Sequence, residues 1–196
     1  RDVTRFYDIE SETQSLSYTL PGATLFRGQF VFSQETFSGE VIIPQDISYS
    51  NETGKLIVYF YNENNDYLGV VDSLYFIGGN AINDNSGPQI TFENSLGLRL
   101  EEGDHLPLND ELLIRISDPL GINLTNESGH EITITELNQN VINNLTNEFY
   151  YDPNSVNTGT IKFLTTEKDI NLKINAWDNA NNPSERLIKL FKTSNE

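Results

Sequence analysis

The chain contains no cysteine, no methionine and only two histidines among its 196 residues. Without cysteine there is no disulfide bridge, no thiolate metal site and no cysteine nucleophile in this sequence. Only the two histidines could serve as general bases near neutral pH. These absences leave few routes to catalysis.

Basic residues are also scarce, with 12 Lys and Arg against 29 Asp and Glu, so the net charge is −17. That charge repels phosphate backbones and anionic lipid, which excludes nucleic acid and a membrane surface as expected partners. Divalent cations remain plausible small partners. No apolar run approaches the ~20 residues that a transmembrane helix needs, so no transmembrane segment is expected in this sequence.

The chain begins at Arg1 in a polar segment that does not resemble a signal peptide. This predicts a fragment of a longer protein.

What the sequence does contain is short alternating apolar runs and many aromatics, including nine tyrosines. Both favour pleated, half-buried strands. A Gly-, Asn- and Pro-rich stretch from Ile77 to Pro88 interrupts them, and it can sustain neither a helix nor a central strand. We therefore predict an all-β protein of two tandem β-sandwich (immunoglobulin-like) domains, with a module at 1–80, a linker at 81–88 and a second module at 89–196.

Within the modules, period-two patterns and turn residues predict the individual strands. The first module is expected to hold strands at 16–20, 24–32, 37–43, 56–61 and 68–77. The second is expected to hold about seven strands, the clearest being Ile170, Leu172, Ile174 and Ala176, which should face a core.

Asp and Asn side chains are concentrated at two turns that could hold calcium. One is the junction, with Asp84 and Asn85; the other is the turn from Trp177 to Pro183, with Asp178 and Asn179. The interpretation that the sequence favours is a plain turn in which the side chains bond their own backbone. Their oxygens are also of the hard type that calcium prefers, so these four residues are the predicted ligands if the turns hold calcium. We expect Trp177 to belong to the core.

No catalytic set is convincing. His130 lies in a Ser-Gly-His-Glu run, which by itself cannot place a serine hydroxyl on an oriented imidazole, so we predict that it bonds a loop backbone. We expect His105 to be solvated. A possible acid–base cluster on one loop is interpreted as a solvated charged surface: Glu101, Glu102, Asp104, Asp110 and Glu111.

Five tyrosines could form a sugar-binding face, but packing on strand faces is the favoured interpretation: Tyr59, Tyr61, Tyr75, Tyr150 and Tyr151.

Several segments, in order along residues 1–192, together resemble the region that follows the catalytic domain in PorU-like sortases of the type IX secretion system, a gingipain-like cysteine peptidase family. In the first module they are Leu25-Phe26-Arg27-Gly28-Gln29-Phe30, Phe37 to Tyr49, Gly54-Lys55-Leu56 and Phe76-Ile77-Gly78-Gly79. In the second they are Asp84 to Pro88, Asp118 to Asn123, Gly129-His130-Glu131-Ile132 and Ala176 to Glu185.

The resemblance implies a non-catalytic accessory role, because the catalytic His and Cys of that family lie upstream of this region. These sandwiches would brace the peptidase domain, or position secreted cargo or other components of type IX secretion, at the outer membrane surface of a Gram-negative bacterium. It also implies that the first module is truncated and lacks an edge strand. The alternative is an independent surface module that binds a polysaccharide or protein and is stiffened by calcium.

Overall fold

The computed structural model describes residues 3–8, 15–20, 22–32, 36, 38–47, 53–79, 82–164 and 168–193. In these residues the regular structure is β-strand, apart from one 3-10 helix at Thr146–Glu148. The all-β prediction is therefore confirmed. By packing, the chain divides into one unit of Arg1–Ala23 with Ile47–Ala81 and a second of Thr24–Asp46 with Ile82–Glu196.

The first unit contains two antiparallel hairpins. Strand β1 (Val3–Asp8) pairs with β2 (Ser15–Leu20), and β3 (Gly54–Tyr61) pairs with β4 (Asp66–Leu74). The side-chain oxygen of Asn62 closes the second hairpin, because it accepts the backbone N–H groups of Asn64 and Asn65 at 2.9 Å each. Asn side chains are favoured at turns for this reason.

The second unit is a sandwich of two five-stranded sheets. One sheet has the order β10 (Val141–Asn144), β9 (Thr133–Glu136), β13 (Asp169–Trp177), β14 (Pro183–Thr193) and β7 (His105–Pro107). The other has the order β11 (Tyr150–Tyr151), β12 (Thr158–Phe163), β8 (Leu112–Ser117), β5 (Gln89–Glu93) and β6 (Arg99–Leu100). Neighbouring strands are antiparallel except β14 and β7.

The core of the second unit lies between these sheets. Along β13 every second residue is buried, and Ile170, Leu172, Ile174 and Ala176 are at most 2% exposed, as their spacing predicts. Strand β8 supplies three fully buried side chains from the opposite sheet. Alternation on both strands follows from the period of two along a pleated strand.

Two of the predicted strands are wrong. The described residues of 24–32 and 37–43 form no strand. Phe26 packs on Tyr151, and the described backbone here makes isolated hydrogen bonds instead of a ladder. These residues also cluster with the second unit, whereas we had placed them in the first module. The boundaries at 80 and 89 stay a prediction.

Sequence analysis missed several short strands: β1, β6, β7, β10 and β11. Strands of two to four residues are too short to show a period, and β1 lies in a polar segment. Among the described residues, no helix has the length and apolarity to cross a membrane.

Candidate functional site

The turn that follows β13 is organised around a buried carboxylate. Asp178 is 0% exposed. Its Oδ1 accepts the backbone N–H groups of Ala180 and Asn182 at 2.9 and 2.7 Å, and its Oδ2 accepts the side-chain amide of Asn182 at 2.8 Å. Asn181 takes a positive φ of 66°, which asparagine tolerates better than most residues. These bonds satisfy the carboxylate locally and give the turn a fixed shape.

Three carboxylates converge at this turn. Oxygen atoms of Asp84, Asp118 and Asp178 lie within 4.8 Å of one another, and the latter two residues are buried. Burial raises the pKa of Asp118 to about 6; the N–H of Leu120 opposes this, and the charges of Asp178 and Asp84 add to it. In the described part of the chain, none of the three carboxylates forms an ion pair. Like charges at this spacing repel unless a proton or a cation offsets them.

The structure thus places two of the four predicted calcium ligands, Asp84 and Asp178, in one cluster. Sequence analysis missed Asp118, which completes that cluster, because an Asp-Pro pair after a strand by itself indicates only that the strand ends. Asn85 is exposed, and its backbone N–H donates to Asp84. Three hard oxygen donors at this spacing are what a divalent cation needs as a first set of ligands.

Asn179, the fourth predicted ligand, fastens the turn to two other loops. It is 3% exposed, and its side-chain nitrogen donates to the carbonyls of Ile42 and Leu120 at 2.9 and 2.8 Å. Its Oδ1 is buried and has no hydrogen-bond partner in the structure. A buried unpaired amide oxygen is costly, which makes it a candidate acceptor for a group that binds here.

A second polar cluster forms around Asp46. Its Oδ2 accepts hydrogen bonds from His130 Nδ1 at 2.7 Å, Asn123 Nδ2 at 3.0 Å and Thr125 Oγ1 at 3.2 Å. Burial acts to raise the pKa of Asp46, but these three bonds together outweigh it and keep the pKa below its usual value. The cluster joins residues that are between 77 and 84 positions apart in sequence.

Two predictions about this region need correction. His130 was expected to bond a loop backbone, but its ring bonds the carboxylate of Asp46 instead. Trp177 was expected in the core, yet it is only half-buried and packs its ring against His130 with centroids 4.5 Å apart. His130 therefore holds the distant segment at Asp46, with Trp177 packed on its ring, and no local pattern could indicate this.

The other catalytic candidates remain surface groups. Glu101 pairs with Arg99 at 2.6 Å and with Arg186 at 3.5 Å, all with half-exposed side chains. Asp104 accepts the N–H of Glu101, and His105 is exposed on β7. Such pairs contribute little to stability and mark a solvated charged loop.

The five tyrosines do not form one face. Tyr151 is buried in the second unit's core, and Tyr150 on the same strand is 55% exposed. In the first unit, the rings of Tyr59 and Tyr61 on β3 stack with centroids 5.8 Å apart. They line a concavity of about 400 Å³ with Asn62, Asn64, Asn65 and Asp66.

Comparison with known proteins finds similarity among solved structures. No protein-family model and no curated protein matches the chain. Among solved structures, the chain is similar to PorU from Porphyromonas gingivalis, with 21% identity and a TM-score of 0.47. The match covers 100% of this chain and 19% of that one. At this identity and score the similarity does not assign the chain to a family.

Proposed function

We propose that this chain is a pair of non-catalytic accessory β-domains of a cell-surface, PorU-like sortase, a gingipain-like cysteine peptidase of type IX secretion. The observation that carries the proposal is the convergence of its motifs. Asp46, Asn123, His130, Trp177 and Asn181 come from four separate segments of the resemblance, and they meet in one network of contacts. These motifs form no catalytic set, and holding the four segments together accounts for all of them.

The network is suited to holding segments rather than to reacting. Asp46 Oδ2 is engaged by three donors, and His130 is tied to Asp46 on one side and to Trp177 on the other. Among the described residues the His130 ring bonds the carboxylate of Asp46 and no hydroxyl, so no nucleophile–base pair is formed there. In the accessory role, such rigid modules brace the peptidase domain or position cargo at the outer membrane surface.

The test uses two defined ligands. The immobilised chain is offered a reporter protein that carries a type IX C-terminal signal, the same reporter without it, and the separately purified peptidase domain of the parent protein. Binding of the signal-bearing reporter alone supports cargo positioning, and binding of the peptidase domain supports bracing. If neither binds to folded chain at concentrations up to about 100 μM, where weak contacts are still detected, the proposal fails.

A second candidate function is an independent surface module that binds polysaccharide. The specific observation is the concavity at the β3–β4 hairpin, where stacked Tyr59 and Tyr61 lie beside Asn and Asp side chains. Aromatic faces with adjacent hydrogen-bonding groups suit a sugar ring. A glycan array with the chain and a Tyr61→Ala control tests it: signals lost in the variant favour this candidate, and equal signals count against it.

We also propose calcium as a ligand of the aspartate cluster. Support comes from three close carboxylates, two of them buried, and from the unpaired oxygen of the neighbouring Asn179. Calcium is expected to raise the melting temperature of the chain more than magnesium does. It is expected to change the melting temperature of the Asp84→Asn variant little. Equal melting temperatures with calcium and with chelator would contradict this proposal.

A further inference from the structure

The concavity at the end of the β3–β4 hairpin has its aromatic and acidic groups on one face of the strands. Directly opposite residues of an antiparallel pair share a face, and so do residues two apart along one strand. Tyr61 lies opposite Asp66, and Tyr59 comes two residues before Tyr61 on β3. Two phenol rings and one carboxylate are therefore presented together where the chain turns.

The two rings are held in position although they are exposed. Tyr59 and Tyr61 are 57% and 64% exposed, and their rings stack on each other. The hydroxyl of Tyr59 donates to Oδ2 of Asp66 at 2.9 Å. These contacts restrict the side chains before a ligand arrives, so less conformational entropy is lost when a ligand packs on the rings.

The polar lining of the concavity keeps hydrogen-bonding groups available. Asn62 is committed to the turn, because its Oδ1 accepts the N–H groups of Asn64 and Asn65. Within the described residues, the side-chain amides of Asn64 and Asn65 and the Oδ1 atom of Asp66 have no hydrogen-bond partner. Amide and carboxylate groups of this kind can bond the hydroxyl and amino substituents of a sugar.

The charge at this end of the hairpin favours a cationic ligand. The turn from Asn62 to Asp66 contains two acidic residues, Glu63 and Asp66, and no basic residue, in a chain of net charge −17. An ammonium group is attracted both to a carboxylate and to the face of a phenol ring within about 6 Å. A sugar that carries a carboxylate or a sulfate is repelled by the same groups.

We propose that this concavity binds a polysaccharide of amino sugars whose free amino groups are protonated. The apolar face of a sugar ring packs on the rings of Tyr59 and Tyr61. Its hydroxyl groups bond the side chains of Asn64 and Asn65, and its ammonium group pairs with Oδ1 of Asp66. The inference rests on the polysaccharide-binding function given above as the second candidate, and it names the class of sugar.

Titration calorimetry with four tetrasaccharides at about pH 6, where amino sugars are protonated, tests the proposal. The ligands are oligomers of glucosamine, of N-acetylglucosamine, of glucose and of glucuronate. The glucosamine oligomer should bind about fivefold more tightly than the two uncharged oligomers, because it alone carries ammonium groups. Asp66→Asn should remove this preference, and Tyr61→Ala should weaken the binding of every oligomer.

Two exposed residues outside the concavity supply matched controls. Asp72→Asn removes one negative charge from the same strand as Asp66, and Tyr75→Ala removes a tyrosine that is 65% exposed. Both variants should bind the four oligomers as the parent chain does. A preference lost in Asp66→Asn and kept in Asp72→Asn assigns the selection of the amino group to the concavity, because both variants lower the net charge equally.

The remaining outcomes separate a failure of this inference from a failure of polysaccharide binding. If the uncharged oligomers bind as tightly as the glucosamine oligomer, the inference is overturned while the second candidate function stands. The same holds if Asp66→Asn keeps the preference, if Asp72→Asn also loses it, or if the glucuronate oligomer binds most tightly. If none of the four oligomers binds to folded chain, both the inference and the second candidate function fail.

Discussion

At the scale of single residues, the second unit assigns opposite ionisation properties to two carboxyls. Asp118 is buried beside two like charges, and its pKa rises to about 6. Asp46 is also removed from water, but three donors on one oxygen lower its pKa. A neighbouring negative charge raises the pKa of a carboxyl, whereas a hydrogen-bond donor lowers it. As pH rises, the contribution of Asp118 to the free energy of unfolding should therefore fall, whereas that of Asp46 should grow.

The Asp118→Asn variant should be more stable than the parent chain at pH 7.5 in chelator. The folded-state pKa of about 6 exceeds the ordinary value of 3.8, so the folded state binds the proton more tightly and stability falls as pH rises across that interval. Removing the charge should recover roughly 1 to 3 kcal/mol, because asparagine can still accept the N–H of Leu120. Denaturant melts at pH 4 and 7.5 check this; an equal difference at both pH values would contradict it.

The Asp46→Ala variant should lose about 2 to 4 kcal/mol, since it leaves His130 Nδ1 without its partner and takes one of two acceptors from Asn123 Nδ2. The lowered pKa means that Asp46 stabilises the fold above its ordinary value of 3.8 and that this is lost as pH falls further. The measurement is urea unfolding followed by Trp177, the only tryptophan, whose ring contacts His130. Thr125→Ser, which keeps its hydroxyl, is the control; equal losses in both variants would count against a special role of Asp46.

At the scale of elements, some glycines lie so close to atoms of a neighbouring element that no larger side chain fits there. Gly159 on β12 lies under the ring of Phe149, where a Cβ would come within 2.4 Å of that ring and 2.4 Å of the Tyr150 carbonyl. Gly87 at the junction meets the carbonyl of Pro183 in the same way, at 2.2 Å. Backbone atoms cannot move aside as flexible side chains do, so these glycines fix the spacing between elements.

Gly159→Ala should destabilise the chain by roughly 1 to 3 kcal/mol, because its methyl group forces β11 and β12 apart. Gly69→Ala on β4 is the matched control: its Cβ would meet only the Val58 carbonyl, at 3.8 Å, and alanine lowers the entropy of the unfolded chain. Thermal melts of both variants compare them. A Gly159→Ala variant as stable as Gly69→Ala would show that β12 can shift freely.

At the scale of the whole molecule, the two units differ in how much apolar surface they bury. The second holds a continuous core of twenty buried hydrophobic residues across both sheets. On the β3–β4 hairpin of the first, Leu56, Ile57, Tyr61 and Leu68 are each 48% exposed or more. Burial of apolar area is the main favourable term in folding, so local stability should follow this difference.

Hydrogen exchange should therefore be slower in the second unit. Amides of β8 and β13, central strands with fully buried side chains, are expected to exchange on the order of 100-fold more slowly than those of β3 and β4. Exchange mass spectrometry on peptides from the two units measures this. Equal rates would mean that the chain opens as a single cooperative unit.

The sequence by itself determined the features that depend on residues close together along the chain, namely strand alternation and turns. The alternation of Ile170 to Ala176, the turn at Asn62 and the Asp178 turn are local, because a strand's period and an Asx side chain act over a few residues. Only the tertiary structure decided that Asp118 joins Asp84 and Asp178, and that residues 24–46 belong to the second unit. Those contacts join residues tens of positions apart. Such pairs come together through burial and the pairing of distant strands, which leave no periodic signal in the sequence.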